Sequence, residues 1–370
     1  MPKLPRNLLT LLVALLASPA AFAASLVVEI EEAPAAGTLV VEVYNSANAF
    51  GDFRGAYREV SHDLSVSNSL TIDDLPAGTY AVLAYIDENE NATLDRNFIG
   101  IPKERVGISN DYRPKGPPVF ERASFELYDS EPRVLSISLY KVLGERGRLG
   151  LGVGVIGQSS PYAGSSETVL QPIPAITYNG ERLQWVGPNI QYGIVGEGKL
   201  RLAASATYRI GAYEEDDSPV LEGLGDREST LLAGLGLRYD LPGGVNALIR
   251  YEHDVLDRIG GGQGRLRFSK GFQAGIFRFV PQLSVNWLSS DLANHEFGVP
   301  EDGATPERPA YDVGSTTSVE AGFGSFIELT EDWRIVLNLS AEFFGDSISD
   351  SPIVDSDVVY RGFAAITYVF

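Results

Sequence analysis

Cysteine is absent from all 370 residues, which removes disulfides and thiol catalysis from the outset. Cations are scarce too: 29 Lys and Arg stand against 49 Asp and Glu, a formal charge of −20. That deficit argues against nucleic acid as a partner, because phosphate binding asks for clustered positive charge. Histidine occurs only at His62, His253 and His295, so few constellations for acid–base or metal chemistry can be built. Beyond the N-terminal segment no run is apolar enough to cross a bilayer as a helix. A closed barrel needs no such run, since its strands satisfy each other's backbone groups. What is plentiful is glycine, at 39 residues, and tyrosine, at 17. The pattern leans toward an all-β secreted or outer-membrane chain.

Residues 1–23 have the three parts of a signal peptide: Lys3 and Arg6, the apolar run Leu8 to Ala17, and small residues at Ala21 and Ala23. Pro19 ends the apolar run far short of the ~18 residues a membrane-spanning helix needs. Cleavage is expected after Ala23.

Residues 25–142 read as short strands between turns, at Leu26–Ile30, Gly37–Tyr44, Ser69–Ile72, Gly78–Ile86, Ala123–Leu127 and Val134–Leu139. Gly37 to Tyr44 alternates at period two, as a half-buried strand does. The pattern suits a small β-sandwich of transthyretin or immunoglobulin-like kind. Between two strands lies Asp87-Glu-Asn-Glu-Asn-Ala-Thr-Leu-Asp95. Asp87, Asn89, Asn91 and Asp95 occupy alternating positions of a calcium-loop pattern, but Ala92 replaces the sharp-turn glycine and Phe98 the closing bidentate glutamate. Two readings stand: a calcium site, or an Asx-rich turn. With Ile101-Pro-Lys-Glu104 and Gly116-Pro-Pro-Val-Phe120 following in order, the segment resembles domain of unknown function 2141, a secreted family whose resemblance brings little function with it.

From Leu149 onward, strands of about ten residues alternate with turns, the length that crosses a bilayer at a tilt. In Lys199 to Ile210, Leu200, Leu202, Ala204, Ala206, Tyr208 and Ile210 share one face, while Lys199, Arg201, Ser205, Thr207 and Arg209 share the other. Ser229–Asp240 and Trp333–Phe344 repeat the pattern. Aromatic residues such as Tyr208, Tyr239, Trp287 and Trp333 fall near strand ends, where interfacial girdles sit. The chain stops on Tyr368-Val-Phe370, which resembles the last-strand signal read by the outer-membrane insertion machinery of Gram-negative bacteria. Short turns (196–198, 241–244, 330–332) alternate with long polar loops (212–228, 289–313, 345–358), matching periplasmic turns and outer loops. If Arg182 to Val195 breaks into two strands near Gly187-Pro188, the barrel has twelve strands; if it is continuous, ten. Either count expects the first domain in the periplasm, joined by a few residues to the barrel of 149–370.

Gly152-Val-Gly-Val-Ile-Gly157, Pro161-Tyr-Ala-Gly-Ser165, Pro172-Ile-Pro174, Leu221-Glu-Gly-Leu-Gly-Asp226, Phe297-Gly-Val299 and Asp350-Ser-Pro-Ile-Val354 look like the MipA/OmpV family of outer-membrane proteins. Asp291 to Glu296 stands where that family carries a Tyr-rich stretch, and the fused first domain is a second departure. The resemblance implies a scaffold bridging a murein lytic transglycosylase and a penicillin-binding protein, set in outer-membrane lipid and lipopolysaccharide. Other members are discussed as small-solute channels or adhesins. No enzyme is expected, because no nucleophile stands at a telling distance from Glu252-His253-Asp254 or His295-Glu296. Inward Arg201, Arg209, Arg238 and Arg250, with Lys199, Arg265 and Arg267, either form a cationic lumen favouring anions or pair with Glu252, Glu320, Glu328 and Glu342 and seal it. No cofactor is expected, calcium at the 87–95 loop excepted. The acidic loop Glu214 to Asp217 reads either as a divalent-cation bridge to lipopolysaccharide or as a solvated charge run.

Overall fold

The computed structural model describes residues 24–128, 132–165, 168–196 and 198–370. The expected signal peptide lies outside the described residues.

The N-terminal unit is built from β1 (Ala24–Glu31), β2 (Thr38–Tyr44), α1 (Ala47–Asp52), β3 (Arg58–Asp63), β4 (Ser69–Leu75), β5 (Gly78–Asp87), β6 (Arg105–Ile108), α2 (Phe120–Ala123), β7 (Phe125–Leu127), β8 (Arg133–Ser138) and β9 (Tyr140–Lys141). One sheet runs β4-β1-β8, with β8 parallel to β1; the other runs β3-β2-β5-β6-β9, with β7 also on β5. Leu26, Val28 and Ile30 of β1 and Ile72 of β4 interleave with Leu39, Val41 and Val43 of β2 and Val82 of β5, all nearly inaccessible. Each such side chain contributes roughly 1.5–3 kcal/mol by leaving water. This is the sandwich expected, with one difference. β2 is buried on both faces, because Val40, Tyr44, Leu83 and Tyr85 lie under a second layer of Phe50, Phe53, Tyr112 and Phe120. Phe50 anchors that layer edge-on to Tyr44, Phe53 and Phe120 at ring distances of 5.6, 5.4 and 5.9 Å. Strands β3, β6 and β9 and helix α1, absent from the sequence reading, complete the unit. Ala123 closes the helical turn α2 instead of opening β7.

The second half closes into a barrel of β10 (Arg148–Ser159), β11 (Thr168–Asn179), β12 (Leu183–Val186), β13 (Asn189–Val195), β14 (Leu200–Arg209), β15 (Thr230–Asp240), β16 (Val245–Asp254), β17 (Gly262–Lys270), β19 (Phe277–Leu288), β20 (Thr316–Glu328), β21 (Trp333–Phe344) and β22 (Val358–Val369). The short β18 (Phe272–Ala274) folds back on the start of β19. Every neighbour is antiparallel, β17 pairs with β19, and β22 closes the circle on β10 with Gly150 opposite Val369. The count is twelve, because 182–195 is a hairpin. Val186 pairs with Asn189 around Gly187, whose φ of 54° suits a residue without Cβ at a two-residue turn.

Leu170, Tyr208, Leu235, Ile249, Leu283 and Leu339 stand exposed on the outside at 71, 49, 53, 57, 52 and 50%. Such a belt around a whole barrel is far more apolar surface than water tolerates, and it fits lipid. The inward positions are polar, among them Arg201, Ser205, Glu252, Asn286, Glu320 and Thr367. One rim carries the short turns and the other the long loops, which include α3 (Ser290–Phe297) and α4 (Asp346–Ser349).

Candidate functional site

The N-terminal unit sits on the short-turn rim, and its contacts run round almost the whole circle. Arg54 reaches Asp240 at the end of β15, and the same carboxylate is gripped by the buried Arg201 of β14. Asp52, at the end of α1, pairs with Arg278 of β19, while the Asn48 side chain accepts from Gln273 N–H at 2.7 Å. The Tyr112 hydroxyl donates to Glu328 at 2.8 Å, and Arg122 Nε lies 2.8 Å from the same carboxylate. Lys115 Nζ is 2.6 Å from Asp332 and 2.8 Å from the Val369 carbonyl of the last strand. Arg148, at the start of β10, donates to the Pro114 carbonyl at 2.9 Å. Asn97 Nδ2 donates to the Gly180 carbonyl at 3.2 Å, and Arg238 to that of Ile99 at 3.4 Å.

Local sequence explains why these groups are available. Asp240, Glu328 and Asp332 sit where a strand meets a short turn, which places their carboxylates within reach of the docked unit. Facing them, α1 with residues 53–54 and the 112–122 segment carry the aromatic layer, and the 97–100 turn is braced by Asn97 Oδ1, which accepts from Ile99 and Ile101 N–H at 3.2 and 2.9 Å. Hydrogen bonding from Lys115 holds the Asp332 carboxyl below its ordinary 3.8. Burial, followed by the Glu328 charge, pushes the Tyr112 phenol up, so it stays a donor at any physiological pH.

At the other rim the long loops pack on one another. Tyr162, Tyr213, Leu221, Phe297, Ile348 and Ile353 form an apolar cluster made wholly of loop residues. Arg308, 7% exposed, ties it by donating to the Glu222 carbonyl at 3.0 Å and that of Gly303 at 2.6 Å. Beneath it, Arg209 Nε donates to Glu296 of α3 at 2.6 Å and Nη1 to Gln263 at 2.9 Å.

The four inward arginines therefore have different neighbours. Arg201 and Arg209 are bound into the two rims; Arg250 lies 3.8 Å from Glu252; Arg238 meets the N-terminal unit. The 87–95 loop brings Asp87, Asn89, Asn91 and Asp95 together, with donors already on the carboxylates. Asp87 accepts from Asn91 and Ala92 N–H at 3.1 and 2.8 Å, and Asp95 from the amides of Asn89 and Asn91 at 2.7 and 3.0 Å. Asx turns stand beside them, with Asn89 Oδ1 accepting from Asn91 N–H at 3.2 Å and Asn91 Oδ1 from Thr93 N–H at 2.8 Å. Glu252 and His253 point to opposite faces of β16, one inward and 1% exposed, the other outward beside Tyr251. His295 contacts the Glu228 carbonyl at 3.4 Å, and burial lowers its pKa from the ordinary 6.5. Among the described residues no three His, Cys, Asp or Glu form a metal-holding group. Glu214 to Asp217 folds into an exposed capped turn. Tyr368 stacks edge-on between Trp333 and Phe370 at 5.3 and 4.9 Å, on the lipid side of the closing strand.

The sequence reading missed the rim partners Asp52, Arg54, Tyr112, Lys115 and Arg122. On the barrel side Asp240, Arg278 and Glu328 stand at strand ends, but Arg201 and Arg334 on neighbouring strands already answer the two acids, so the sequence carried little signal.

Comparison with known proteins agrees with this architecture. Residues 151–370 match the family described as MltA-interacting protein MipA, and residues 28–134 match an uncharacterized protein conserved in bacteria, DUF2141. The chain is 30% identical over 168 residues to outer membrane protein OmpV of Vibrio cholerae, covering 44% of this chain and 65%, just under two thirds, of that one. It is 28% identical over 197 residues to outer membrane protein Omp26La of Vibrio anguillarum, covering 52% and 76%. It is 24% identical over 225 residues to the MltA-interacting protein of Escherichia coli, covering 60% and 89%. With more than half of its length matched, and that half folded as a closed twelve-strand barrel, the chain belongs to the MltA-interacting protein MipA family.

Proposed function

We propose that this protein is a non-enzymatic outer-membrane anchor. It holds its N-terminal unit at the periplasmic mouth of the barrel and presents it to murein-remodelling enzymes. The observation that carries the reading is the ring of rim contacts from Asp52, Arg54, Tyr112, Lys115 and Arg122: a unit tethered at so many points is positioned, not merely linked. The name of the Escherichia coli relative, MltA-interacting protein, supports a murein lytic transglycosylase as the first partner; a penicillin-binding protein as the second rests on the family resemblance alone.

In this reading residues 1–23 are removed, 25–142 form the periplasmic domain and 149–370 the barrel, set in lipid and lipopolysaccharide. Tyr368 and Phe370 form the insertion signal on β22. Arg201 and Arg209 serve closure, which favours an anchor over a small-solute channel.

Purified full-length protein, immobilised in detergent, should retain a purified murein lytic transglycosylase, and Asp52→Ala with Lys115→Ala should weaken that retention by freeing the unit from the rim. Folding of the variant is checked by heat-modifiable migration. Failure of the folded wild type to retain any murein enzyme would overturn the reading.

A further inference from the structure

The barrel wall has a gap on one side. β12 rises only four residues from the short-turn rim before the chain turns at Gly187-Pro188, so β11 pairs with it only at Thr177, Tyr178 and Asn179. Ile176 accepts one further bond, from Gly187 N–H at 3.4 Å. Above that point, among the described residues, 168–175 pair with β10 alone. Across the gap, β13 begins opposite Thr207 of β14, and the last link is Tyr208 N–H to the Pro188 carbonyl at 2.9 Å. Above, the Ser218 hydroxyl donates to the Ala163 carbonyl and joins the two loops that frame the gap. The result is an opening with the 187–188 turn as its sill and β11 and the end of β14 as its sides.

An unpaired strand edge inside hydrocarbon is costly, because orphaned backbone groups find no water there. This edge carries fewer orphan donors than an ordinary strand would. Ile176 points its carbonyl toward β12, and in an antiparallel strand every second residue points its backbone groups the same way. Pro172 and Pro174 share that direction, so their rings replace two donors that would face the gap. The Pro-Ile-Pro motif thus marks a permanent edge. Behind it, Leu170 is 71% exposed on the lipid side and Ala175 is buried, so Ile173 faces the lumen.

We infer that this opening is a lateral window through which an acyl chain of an outer-leaflet lipid reaches the lumen. A strand from a second copy needs the donors that the prolines lack; a hydrocarbon chain needs none. The window is independent of the anchor reading except for its leaflet, which follows from the orientation proposed there.

The test reconstitutes the full-length wild-type protein in phosphatidylcholine vesicles doped with a phospholipid carrying a mid-chain diazirine, and maps the photolabelled residues by mass spectrometry. The expected result is label on inward Ile173 comparable to that on outward Leu170, with none on Asn338, an inward residue of β21. Label confined to outward residues would overturn the window, and so would dimers cross-linked through β11. Murein-enzyme retention is unaffected by either outcome, so the two proposals fail separately.

Discussion

The buried pair of Arg201 and Asp240 ties the barrel wall to the N-terminal unit at one point of the rim. Its carboxylate serves two guanidiniums, one from the neighbouring strand and one, Arg54, from 186 residues earlier in the chain. Removing one partner of a buried ion pair leaves an uncompensated charge and typically costs about 3–5 kcal/mol. Asp240→Asn is therefore expected to lower stability by that order in equilibrium denaturation from lipid vesicles. Arg201→Met with Asp240→Leu, which removes both charges together, should recover most of the loss. At this scale the inward position of Arg201 was legible from alternation alone. Its pairing was not, because nothing in a two-residue period says which acid lies one strand away or which arginine comes from another unit.

Acid should loosen the two rims in different windows. At Asp332 the folded pKa is depressed, so the stability it contributes is full above its unfolded value near 3.8 and is lost as pH falls through the folded value. At His295 the folded pKa is also depressed, but for a base this favours the neutral form. The stability of the long-loop cap is then full above the ordinary 6.5 and declines as pH drops below it. Hydrogen exchange across a pH series should show residues 290–299 opening first, below about pH 6.5, and the 112–122 segment only near or below the ordinary carboxylate range. Opening of 112–122 at pH 6 would contradict the assignment.

Among the elements, the 182–195 hairpin decides the strand count, and its turn shows why a sequence can reveal a break. Gly187 adopts φ 54°, a conformation in which any L side chain is strained by roughly 1–2 kcal/mol. Gly187→Val is expected to fray β12 and β13, seen as raised exchange at Trp185 and Ile190. The same period-two logic misjudged β2. Alternation predicted one wet face, but α1 and the 109–123 segment cover it, a tertiary event that no local pattern encodes. The closing strand gives a further expectation at this scale. Deleting Phe370 removes the exposed terminal aromatic beside Tyr368 and should reduce, several-fold, the heat-modifiable folded protein recovered from outer membranes. Unchanged recovery would detach Phe370 from insertion.

As a whole the molecule is a barrel with a β-unit docked at one rim and a loop-built apolar cluster at the other. The −20 charge that first argued against nucleic acid has a structural counterpart in rim acids such as Asp240, Glu328 and Asp332, which hold cations of the N-terminal unit. The barrel, its orientation cues and its family resemblance were all legible in the chain, because lipid imposes a strict alternation. The docking was not, since it depends on loops brought together by an aromatic layer. Single-channel recording of the full-length protein in planar bilayers at neutral pH tests the central claim most directly. The account predicts no steady conductance, with brief openings appearing only as pH falls below the ordinary 3.8 toward the depressed value of Asp332; a sustained open channel at neutral pH would contradict it.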